Sequence, residues 1–295
     1  MSIATTHFSW ETSMPDYVIP APKVPTIPVQ GGGEFPVRRV YCIGRNYAAH
    51  SIEMGGDPDR DPPFFFQKNP ENLDSSGDFL YPTKTSDVHY EIEMAIALKT
   101  GGTNIPVAEA FDHVYGYAPC LDMTRRDLQT DAKNKGRPWE IGKAFERSGP
   151  IGPLQTVAQV GHPSNGRVEL LVNGKVRQEG DLNQMIWKVP EMISYLSEYF
   201  ELQPGDVIMS GTPCHGGQYC GTCLAPRQSG VMFQPAWTTV ERRVAPIAHG
   251  HAARSLEKSL FPLMDYRQVD SKRQPMSSKT KPPPSTRCGR GTSPT

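Results

Sequence analysis

The sequence has no long apolar run. In its 295 residues no stretch approaches the roughly 20 apolar residues that a membrane-spanning helix needs. The segment from Met1 to Pro20 also lacks the basic start and the apolar stretch of a secretory signal. These absences argue against membrane and secreted classes, so we expect a cytoplasmic protein without a membrane partner.

Cysteine is also scarce and irregularly spaced. The 6 cysteines do not have the pattern of a disulfide framework, so we expect reduced thiols. One cluster, Cys214, His215, Cys220 and Cys223, contains a C-x₂-C half-site with spacings that zinc tolerates. A structural zinc site normally has a second half at a comparable distance, and only Cys288 remains further along. We therefore do not predict zinc binding.

The chain has no net charge, but its charge is unevenly distributed. Lys and Arg together number 31, and so do Asp and Glu. From His215 onward there are 12 basic and 4 acidic side chains, which leaves 19 basic and 27 acidic ones before it. The basic end lacks interleaved aromatic residues, so we expect a solvated tail and no binding to nucleic acid.

Apolar patterns predict an α+β fold. The stretches VRRVYCIG, EIEMAIAL and GDVIMSG are typical of strands, and VELLVNGKVRQEG is typical of a hairpin that turns at Asn173 and Gly174. VPEMISYLSEYF has the spacing of an amphipathic helix that begins at Pro190. Strands and helices do not alternate regularly, which argues against a parallel doubly wound sheet.

Composition divides the chain into three parts. Residues 1–36 are rich in proline and glycine, and we predict an N-terminal arm or linker. Residues 37–213 carry the regular patterns and form the predicted folded domain. Residues 214–295 form a basic tail with at most a short helix, and we expect disorder from about Arg267 because little there can be buried.

Two glutamates separated by one isoleucine interrupt an apolar strand pattern. Successive side chains of a strand point to opposite faces, so Glu91 and Glu93 share one face. A cation such as Mg²⁺ prefers oxygen ligands, and Asp122, which ends another apolar segment, would supply a third carboxylate. The alternative is the solvated outer face of an edge strand.

His50 and Glu53 form a second candidate pair. They have the three-residue spacing of neighbours on a helical turn. The carboxylate can orient the imidazole, which then serves as a general base on a water. The alternative is a histidine on a helix surface with an incidental glutamate.

The segment DMTRRDLQTDAKNKGRPWEIGKAF is rich in cationic side chains. Arg126 and Gln129 are three residues apart and could converge on one anion. Lys143 follows Gly142 in a strand-like context, where its ammonium could lie beside an oxyanion. Further along, Thr212 ends a predicted strand in MSGTP, and its hydroxyl could hold a carboxylate. Some of these cations must belong to a solvated helix face.

Taken in order, these motifs resemble the fumarylacetoacetate hydrolase family. They are YCIGRNYAAHSIEMG, PPFFFQKNP, DVHYEIEMAIAL, GYAPCLDMTRRDLQ, GRPWEIGKAF, DLNQMIWKVPEMISYLSEYF and PGDVIMSGTP. Within the family they look most like the bacterial acylpyruvate hydrolases that cleave fumarylpyruvate. The resemblance extends from about Val37 to Pro213 and implies the mixed β-roll of the family's C-terminal domain.

The resemblance implies a role for each candidate residue. The ligands of a metal, Mg²⁺ or Mn²⁺, would be Glu91, Glu93 and Asp122. The catalytic residues would be His50 and Glu53, which activate water, and Lys143, which stabilises an oxyanion. The positions of the family's substrate contacts are occupied by Arg45, Tyr47, Arg126, Gln129 and Thr212.

The implied reaction is hydrolysis of a carbon–carbon bond in an acylpyruvate such as fumarylpyruvate. It gives pyruvate and a carboxylic acid and belongs to the catabolism of aromatic compounds. The family's usual assembly is a homodimer. Relatives of the same fold decarboxylate or isomerise 2-oxo acids, which is the alternative enzymatic activity.

The sequence after SGTP departs from the family pattern. Family members continue with a glycine-rich turn and closing strands, whereas this chain reads CHGGQYCGTCLAPRQSG. We therefore expect a β-roll that is incomplete at its C-terminal end. Missing strands would leave edges unpaired, so an inactive or misfolded product is the alternative to an enzyme.

Overall fold

The structure of the protein is a computed structural model. It describes residues 16–48, 62–172 and 175–213, together with the backbone of three further strands at 218–219, 229–234 and 239–240. These residues all belong to one compact unit, Met1–Ile247. Within the described ranges, no helix is long and apolar enough to cross a membrane.

The described residues form many short strands and few helices. In chain order the strands are β1 (Thr26–Pro28), β2 (Glu34–Pro36), β3 (Arg39–Gly44), β4 (Phe64–Lys68), β5 (Leu73–Asp74), β6 (Val88–His89), β7 (Ile92–Leu98), β8 (Val114–Leu121), β9 (Thr124–Arg125), β10 (Gly149–Pro150), β11 (Gln155–Thr156), β12 (Arg167–Val172), β13 (Lys175–Asp181), β14 (Asp206–Met209), β15 (Gln218–Tyr219), β16 (Ser229–Gln234) and β17 (Thr239–Val240). The α-helices are α1 (Arg126–Asn134), α2 (Glu140–Lys143), α3 (Val157–Val160) and α4 (Val189–Tyr199). Short 3₁₀ helices span Pro70–Asn72, Val107–His113 and Leu182–Gln184.

A six-stranded mixed sheet is the centre of the fold, with the strand order β11-β8-β7-β14-β3-β4. β7 is antiparallel to both of its neighbours, β8 and β14, while β14 runs parallel to β3. This mixture of pairings, with few helices, confirms the prediction of an α+β fold. The strands predicted in VRRVYCIG, EIEMAIAL and GDVIMSG are β3, β7 and β14.

Both faces of the central sheet are buried. Alternate side chains of a strand point to opposite faces. Ile92 and Met94 of β7 therefore join one apolar cluster, while Ala95 and Ala97 join another. The first cluster also contains Ile193 of α4. Every residue of β7 is buried, so this strand forms the middle of the core.

Two local predictions are confirmed. α4 begins at Val189 with Pro190 in its first turn, where the missing N–H of proline costs no helical hydrogen bond. β12 and β13 pair in antiparallel fashion, as a hairpin requires. The two predicted turn residues, 173 and 174, lie outside the described residues.

Part of the predicted N-terminal arm is folded. β1 and β2 form a two-stranded antiparallel sheet, and Ile27 and Phe35 are buried in the second apolar cluster. Leu154 forms two backbone hydrogen bonds of 2.8 Å with this hairpin. The structure therefore differs from the predicted arm over residues 26–36, because apolar side chains between the prolines can be buried against the domain.

Three short strands follow Pro213. β16 pairs with β12 over all six of its residues, β17 pairs with β16, and β15 pairs with β6. We expected at most a short helix in this part of the chain, so the backbone at 229–234 differs from that expectation. Residues 241–295, including the predicted disorder, lie outside the described residues, and incompleteness of the β-roll stays a prediction.

Candidate metal centre and active site

Two antiparallel strands bring three carboxylates to one end of the central sheet. In the register of β7 and β8, Glu93 lies opposite Cys120, and just beyond the strands the amide of Asp122 donates to the carbonyl of Glu91 at 2.8 Å. Oxygen atoms of these three acids lie within 4.8 Å of one another, and all three residues are buried. The alternative of a solvated edge strand is therefore wrong for Glu91 and Glu93.

Lys143 lies between two of these acids. Its Nζ donates at 2.7 Å to Glu91 Oε2, and at the same distance to Asp122 Oδ2 and to Thr124 Oγ1. Burial lowers the pKa of this lysine, but the carboxylates of Asp122 and Glu91 outweigh burial, so the pKa is raised. Lys143 is therefore a cation whose three hydrogens are all engaged.

The local structure at Lys143 is helical, and our expectation of a strand-like context is wrong. Lys143 is the last residue of α2, which has only four residues. So short a helix shows no apolar periodicity that the sequence could reveal. Gly142 allows close packing on α1, because a Cβ there would lie 3.0 Å from the backbone nitrogen of Gln129.

Lys68 is a second buried cation of the site, and sequence reasoning missed it. Its Nζ lies 2.8 Å from Asp122 Oδ1, donates to Ser148 Oγ at 3.0 Å, and donates to the carbonyl oxygen of Lys143. The Lys68 side chain has no exposed surface. One signal was available: in PPFFFQKNP, Lys68 is in phase with Phe64 and Phe66 on β4, so the three side chains share a face.

Arg126 is the third cation of the site. It is the first residue of α1, and its guanidinium donates to Glu91 Oε1 and, at 2.6 Å, to Gln129 Oε1. The sequence predicted that Arg126 and Gln129 meet, because they are three residues apart on a helix. In the structure Arg126 contacts both the carboxylate of Glu91 and the side-chain oxygen of Gln129.

Glu93 is held by a backbone amide. Gly211 N donates to Glu93 Oε2 at 2.9 Å. Burial, and then the charges of Asp122 and Glu91, raise the pKa of Glu93 well above its ordinary value, and Lys143 and the Gly211 amide lower it by less. A buried cluster of oxygen ligands in which one carboxylate is so poorly stabilised fits a hard divalent cation such as Mg²⁺ or Mn²⁺.

A pocket opens onto this cluster. Its wall includes the three acids and, among the predicted residues, Arg45, Arg126, Gln129, Lys143 and Thr212. The remaining wall is apolar or aromatic and consists of Ile43, Gly44, Phe64, Phe66 and Trp139. The structure therefore brings eight of the predicted site residues to one pocket.

Arg45 lines the pocket in an unusual backbone conformation. Its φ of 55° lies in the left-handed region, which residues other than glycine rarely adopt. The guanidinium carbon lies 5.4 Å from the centre of the Phe64 ring, and the buried Nε has no hydrogen-bond partner among the described residues. Arg45 is therefore available to an anion in the pocket.

The remaining predicted site residues differ in where they lie relative to the pocket. Tyr47 is buried in the first apolar cluster, and its position gives no support to a role as a substrate contact. Thr212 lines the pocket, and its hydroxyl accepts a hydrogen bond of 3.1 Å from Gln178 Nε2. His50 and Glu53 lie outside the described residues, as do Cys214, His215, Cys220 and Cys223 of the sequence cluster considered for zinc.

The sequence matches the C-terminal domain of fumarylacetoacetate hydrolases over residues 39–246, well over half of the chain. The chain belongs to the fumarylacetoacetate hydrolase family. The predicted family and fold are thereby confirmed. The match includes residues 214–246, which we predicted to be part of a divergent tail, and the domain boundary at 213 stays a prediction.

Solved structures of family members are similar over nearly their whole length. Fumarylpyruvate hydrolase from Pseudomonas aeruginosa, in complex with Mn²⁺ and pyruvate, is 46% identical, and the match covers 78% of this chain and 100% of that one with a TM-score of 0.71. A putative fumarylpyruvate hydrolase from Burkholderia cenocepacia is 42% identical, with coverage of 79% and 99% and a TM-score of 0.70.

Relatives with another activity are similar over a shorter range. Mitochondrial oxaloacetate tautomerase from Bos taurus is 38% identical over 176 residues, which are 60% of this chain and 80% of that protein. The corresponding protein of Arabidopsis thaliana is 36% identical over 211 residues, or 71% and 94%. This chain is therefore similar to fumarylpyruvate hydrolases and, at lower identity, to oxaloacetate tautomerases.

Proposed function

We propose that this protein is a metal-dependent hydrolase of acylpyruvates such as fumarylpyruvate. The products would be pyruvate and a carboxylic acid. The observation that carries the proposal is the buried cluster of Glu91, Glu93 and Asp122 beside a pocket that also contains Arg45. The similarity to fumarylpyruvate hydrolases supports the same substrate class.

The three acids would hold the cation, which we propose to be Mg²⁺ or Mn²⁺. When bound, it would supply a Lewis acid that stabilises the negative charge of an enolate. The carboxylates of Glu91 and Asp122 also accept hydrogen bonds from Lys143. Uptake of a cation would therefore compete with Lys143 for these oxygens and leave ammonium hydrogens for an oxyanion of the substrate.

The charges of the site suit a doubly negative ligand. Three acids face three cationic side chains, namely Lys68, Arg126 and Lys143. These charges cancel formally, so a divalent cation would leave two positive charges. A pyruvate enolate, with its carboxylate, carries two negative charges and would restore neutrality in this buried environment.

Two further groups would position the substrate and the water. Arg45 lines the pocket, and its guanidinium would bind a distal carboxylate such as that of a fumaryl group. We propose that Glu53 orients His50 and that His50 removes a proton from the attacking water, as general base catalysis requires. The family resemblance is the support for this pair.

A second candidate function is tautomerisation of a 2-oxo acid such as oxaloacetate. The observation that favours it is the 38% identity to an oxaloacetate tautomerase. The described acids and cations would stabilise an enolate equally well in either reaction. The two functions differ in the need for an activated water, which only hydrolysis requires.

One experiment separates the two functions. The full chain is assayed for pyruvate release from a panel of acylpyruvates and, in parallel, for enol-to-keto conversion of oxaloacetate, each with Mg²⁺, with Mn²⁺ and with a chelator. Metal-dependent pyruvate release from fumarylpyruvate is expected. Metal-dependent conversion of oxaloacetate without pyruvate release from any acylpyruvate would replace the hydrolase proposal by the second candidate.

The oligomeric state, the location and the metabolic role of the enzyme are also open to test. We propose a homodimeric, cytoplasmic protein that acts in the catabolism of aromatic compounds and whose catalytic residues lie within 37–213. Light scattering on the purified full chain tests the dimer, since a monomeric mass would contradict it. Truncation at residue 246 and at residue 213 tests the domain boundary, because only the second removes β16.

A further inference from the structure

Asn46 is a buried polar residue without a role in the proposed reaction. It follows Arg45 on the turn after β3 and has no exposed surface. Its Oδ1 accepts from Trp187 N at 2.7 Å, and its Nδ2 donates to Trp187 O at 3.0 Å and to Ser210 O at 2.8 Å. The side-chain amide therefore joins the turn after β3 to the segments before α4 and after β14.

The contact with Ser210 leads directly to Glu93. The carbonyl of Ser210 and the amide of Gly211 belong to the same peptide bond. Asn46 donates to its oxygen, and its nitrogen donates to Glu93 Oε2 at 2.9 Å. Because a peptide group is planar, a donor that fixes the oxygen also fixes the direction of the N–H on the other side.

The backbone around this peptide leaves little freedom. Gly211 has a φ of 89°, which favours glycine, and a Cβ there would lie 2.8 Å from the Cβ of Asn46 and 3.0 Å from the carbonyl oxygen of Ile43. The peptide is thus close to the Asn46 side chain without any room between them. Alanine at position 46 would keep the Cβ and remove the donor to the Ser210 carbonyl.

We propose that Asn46 is a positioning residue for Glu93, acting through the Ser210–Gly211 peptide. The inference rests on the proposed function, in which Glu93 holds a divalent cation. The described hydrogen bonds of Asn46 go to Trp187, Met192 and Ser210. Its hydrogen bond polarises the peptide and aims the Gly211 amide at one oxygen of Glu93, which leaves the other oxygen directed into the cluster.

A purely structural role for Asn46 makes a different prediction. The bonds to Trp187 hold the start of α4, so loss of Asn46 lowers the free energy of unfolding in either case. Only a role through Glu93 also lowers the affinity for the cation. A variant that weakens the same packing without touching the peptide separates the two, and Met192 provides it, since its Sδ lies 3.5 Å from Asn46 Nδ2 on the side of α4.

The test compares Asn46→Ala and Met192→Ala in the full chain by calorimetric titration with Mn²⁺ and by thermal unfolding. Asn46→Ala is expected to weaken Mn²⁺ binding by about 10–100-fold, the range typical of residues that orient a metal ligand. Met192→Ala is expected to lower Tm and to keep the Mn²⁺ affinity of the wild type within about twofold. In a Glu93→Gln background, Asn46→Ala should weaken Mn²⁺ binding no further.

Different outcomes would contradict the role of Asn46 and the proposed metal site. Wild-type Mn²⁺ affinity in Asn46→Ala, or equal losses in Asn46→Ala and Met192→Ala, would leave Asn46 a packing residue. Absence of Mn²⁺ binding in the wild type would instead overturn the proposed metal site and the inference with it. If Asn46→Ala does not fold, Gly211→Ala displaces the same peptide, because its Cβ would lie 2.8 Å from the Cβ of Asn46, and unchanged Mn²⁺ affinity there contradicts the inference.

Discussion

A buried acid lies at each end of strand β14, Asp206 of β14 itself and Glu93 of the neighbouring β7, and the two acids have different surroundings. At the start of the strand, Asp206 accepts from Arg38 at 2.9 and 3.0 Å and from the amide of Gln203 at 2.9 Å. Just past its end, Gly211 donates to Glu93, and among charged groups Asp122 and Glu91 affect the pKa of Glu93 most. Burial raises the pKa of both carboxyls, and neighbouring groups lower it at Asp206 but raise it further at Glu93.

Asp206 belongs to an ion pair that stabilises the fold, whereas Glu93 belongs to a cluster of acids that can bind a ligand. Asp206 uses both oxygens in local contacts, and Arg38 is partly exposed, so nothing further is needed to satisfy the pair. At the other end the described ion pairs of the cluster go to Glu91 and Asp122, whereas Glu93 is held by a backbone amide, and a pocket opens beside it. Excess charge that remains buried is expensive for the fold, which is why such clusters indicate function.

The largest expected effect is that of Glu93→Gln. The change removes one negative charge with little change in size, so metal-dependent turnover should fall by more than about 100-fold, beyond the range of outer residues that orient a ligand. Metal-free Tm should stay the same or rise, because a buried carboxylate is replaced by a neutral amide. Pyruvate release, Mn²⁺ titration and thermal unfolding measure these effects. Asp206→Asn is the matched control and should retain wild-type turnover per folded molecule.

Lys68→Met should produce the largest loss of stability. It leaves Asp122 buried without one of its cations, which costs about 3–5 kcal/mol of the free energy of unfolding. Mn²⁺ should restore more stability to this variant than to the wild type, because the cation neutralises the same carboxylate. Arg38→Met leaves Asp206 without its partner far from the cluster, so Mn²⁺ should give it no extra stability. Equal Mn²⁺ effects on the two variants in chemical unfolding would contradict a metal site at Asp122.

Arg38→Met should have a smaller effect that depends on pH. Arg38 lowers the pKa of Asp206, so its removal raises that pKa further above the ordinary value. When the pKa of a carboxyl is higher in the folded than in the unfolded state, the free energy of unfolding of the protein falls as pH rises from the unfolded pKa to the folded one. The variant should therefore approach wild-type stability near pH 4 and fall below it by about 1 kcal/mol at neutral pH, since Arg38 is partly exposed. Urea unfolding across this pH range measures the difference, and a constant difference would contradict it.

The acids of the site were predictable because strand geometry is local. The alternation of side chains placed Glu91 and Glu93 on one face, and the helical spacing brought Arg126 to Gln129. Asp122 and Lys143 were candidates from their local sequence context, and the family resemblance implied their roles. The fold class followed from the same patterns, since strands and helices mix without regular alternation.

The residues that support the acids were not predictable from local patterns. Asn46 forms hydrogen bonds with partners 141 and 164 positions away, and nothing near it in the sequence indicates them. Lys68 looks like a charge at the end of a strand until the fold places Asp122 beside it. The short helix that carries Lys143 could not be predicted, because four residues are too few to show the apolar periodicity of a helix.

The smallest expected effect is that of Thr212→Val at the functional end of the strand. The change keeps the shape of the side chain and removes one hydroxyl, which lines the pocket and accepts from Gln178 at 3.1 Å. Loss of one neutral hydrogen bond is worth about 1 kcal/mol, so KM for the acylpyruvate should rise by roughly fivefold. kcat should change little, because the hydroxyl would bind substrate and transition state alike. Gln178→Met is the control. It also removes the bond to the amide of Ile92, so it should lower Tm more than Thr212→Val does and raise KM less. A fall in kcat with unchanged KM in Thr212→Val would instead place this hydroxyl among the groups that act on the transition state, and the contact with Gln178 would then serve to orient it.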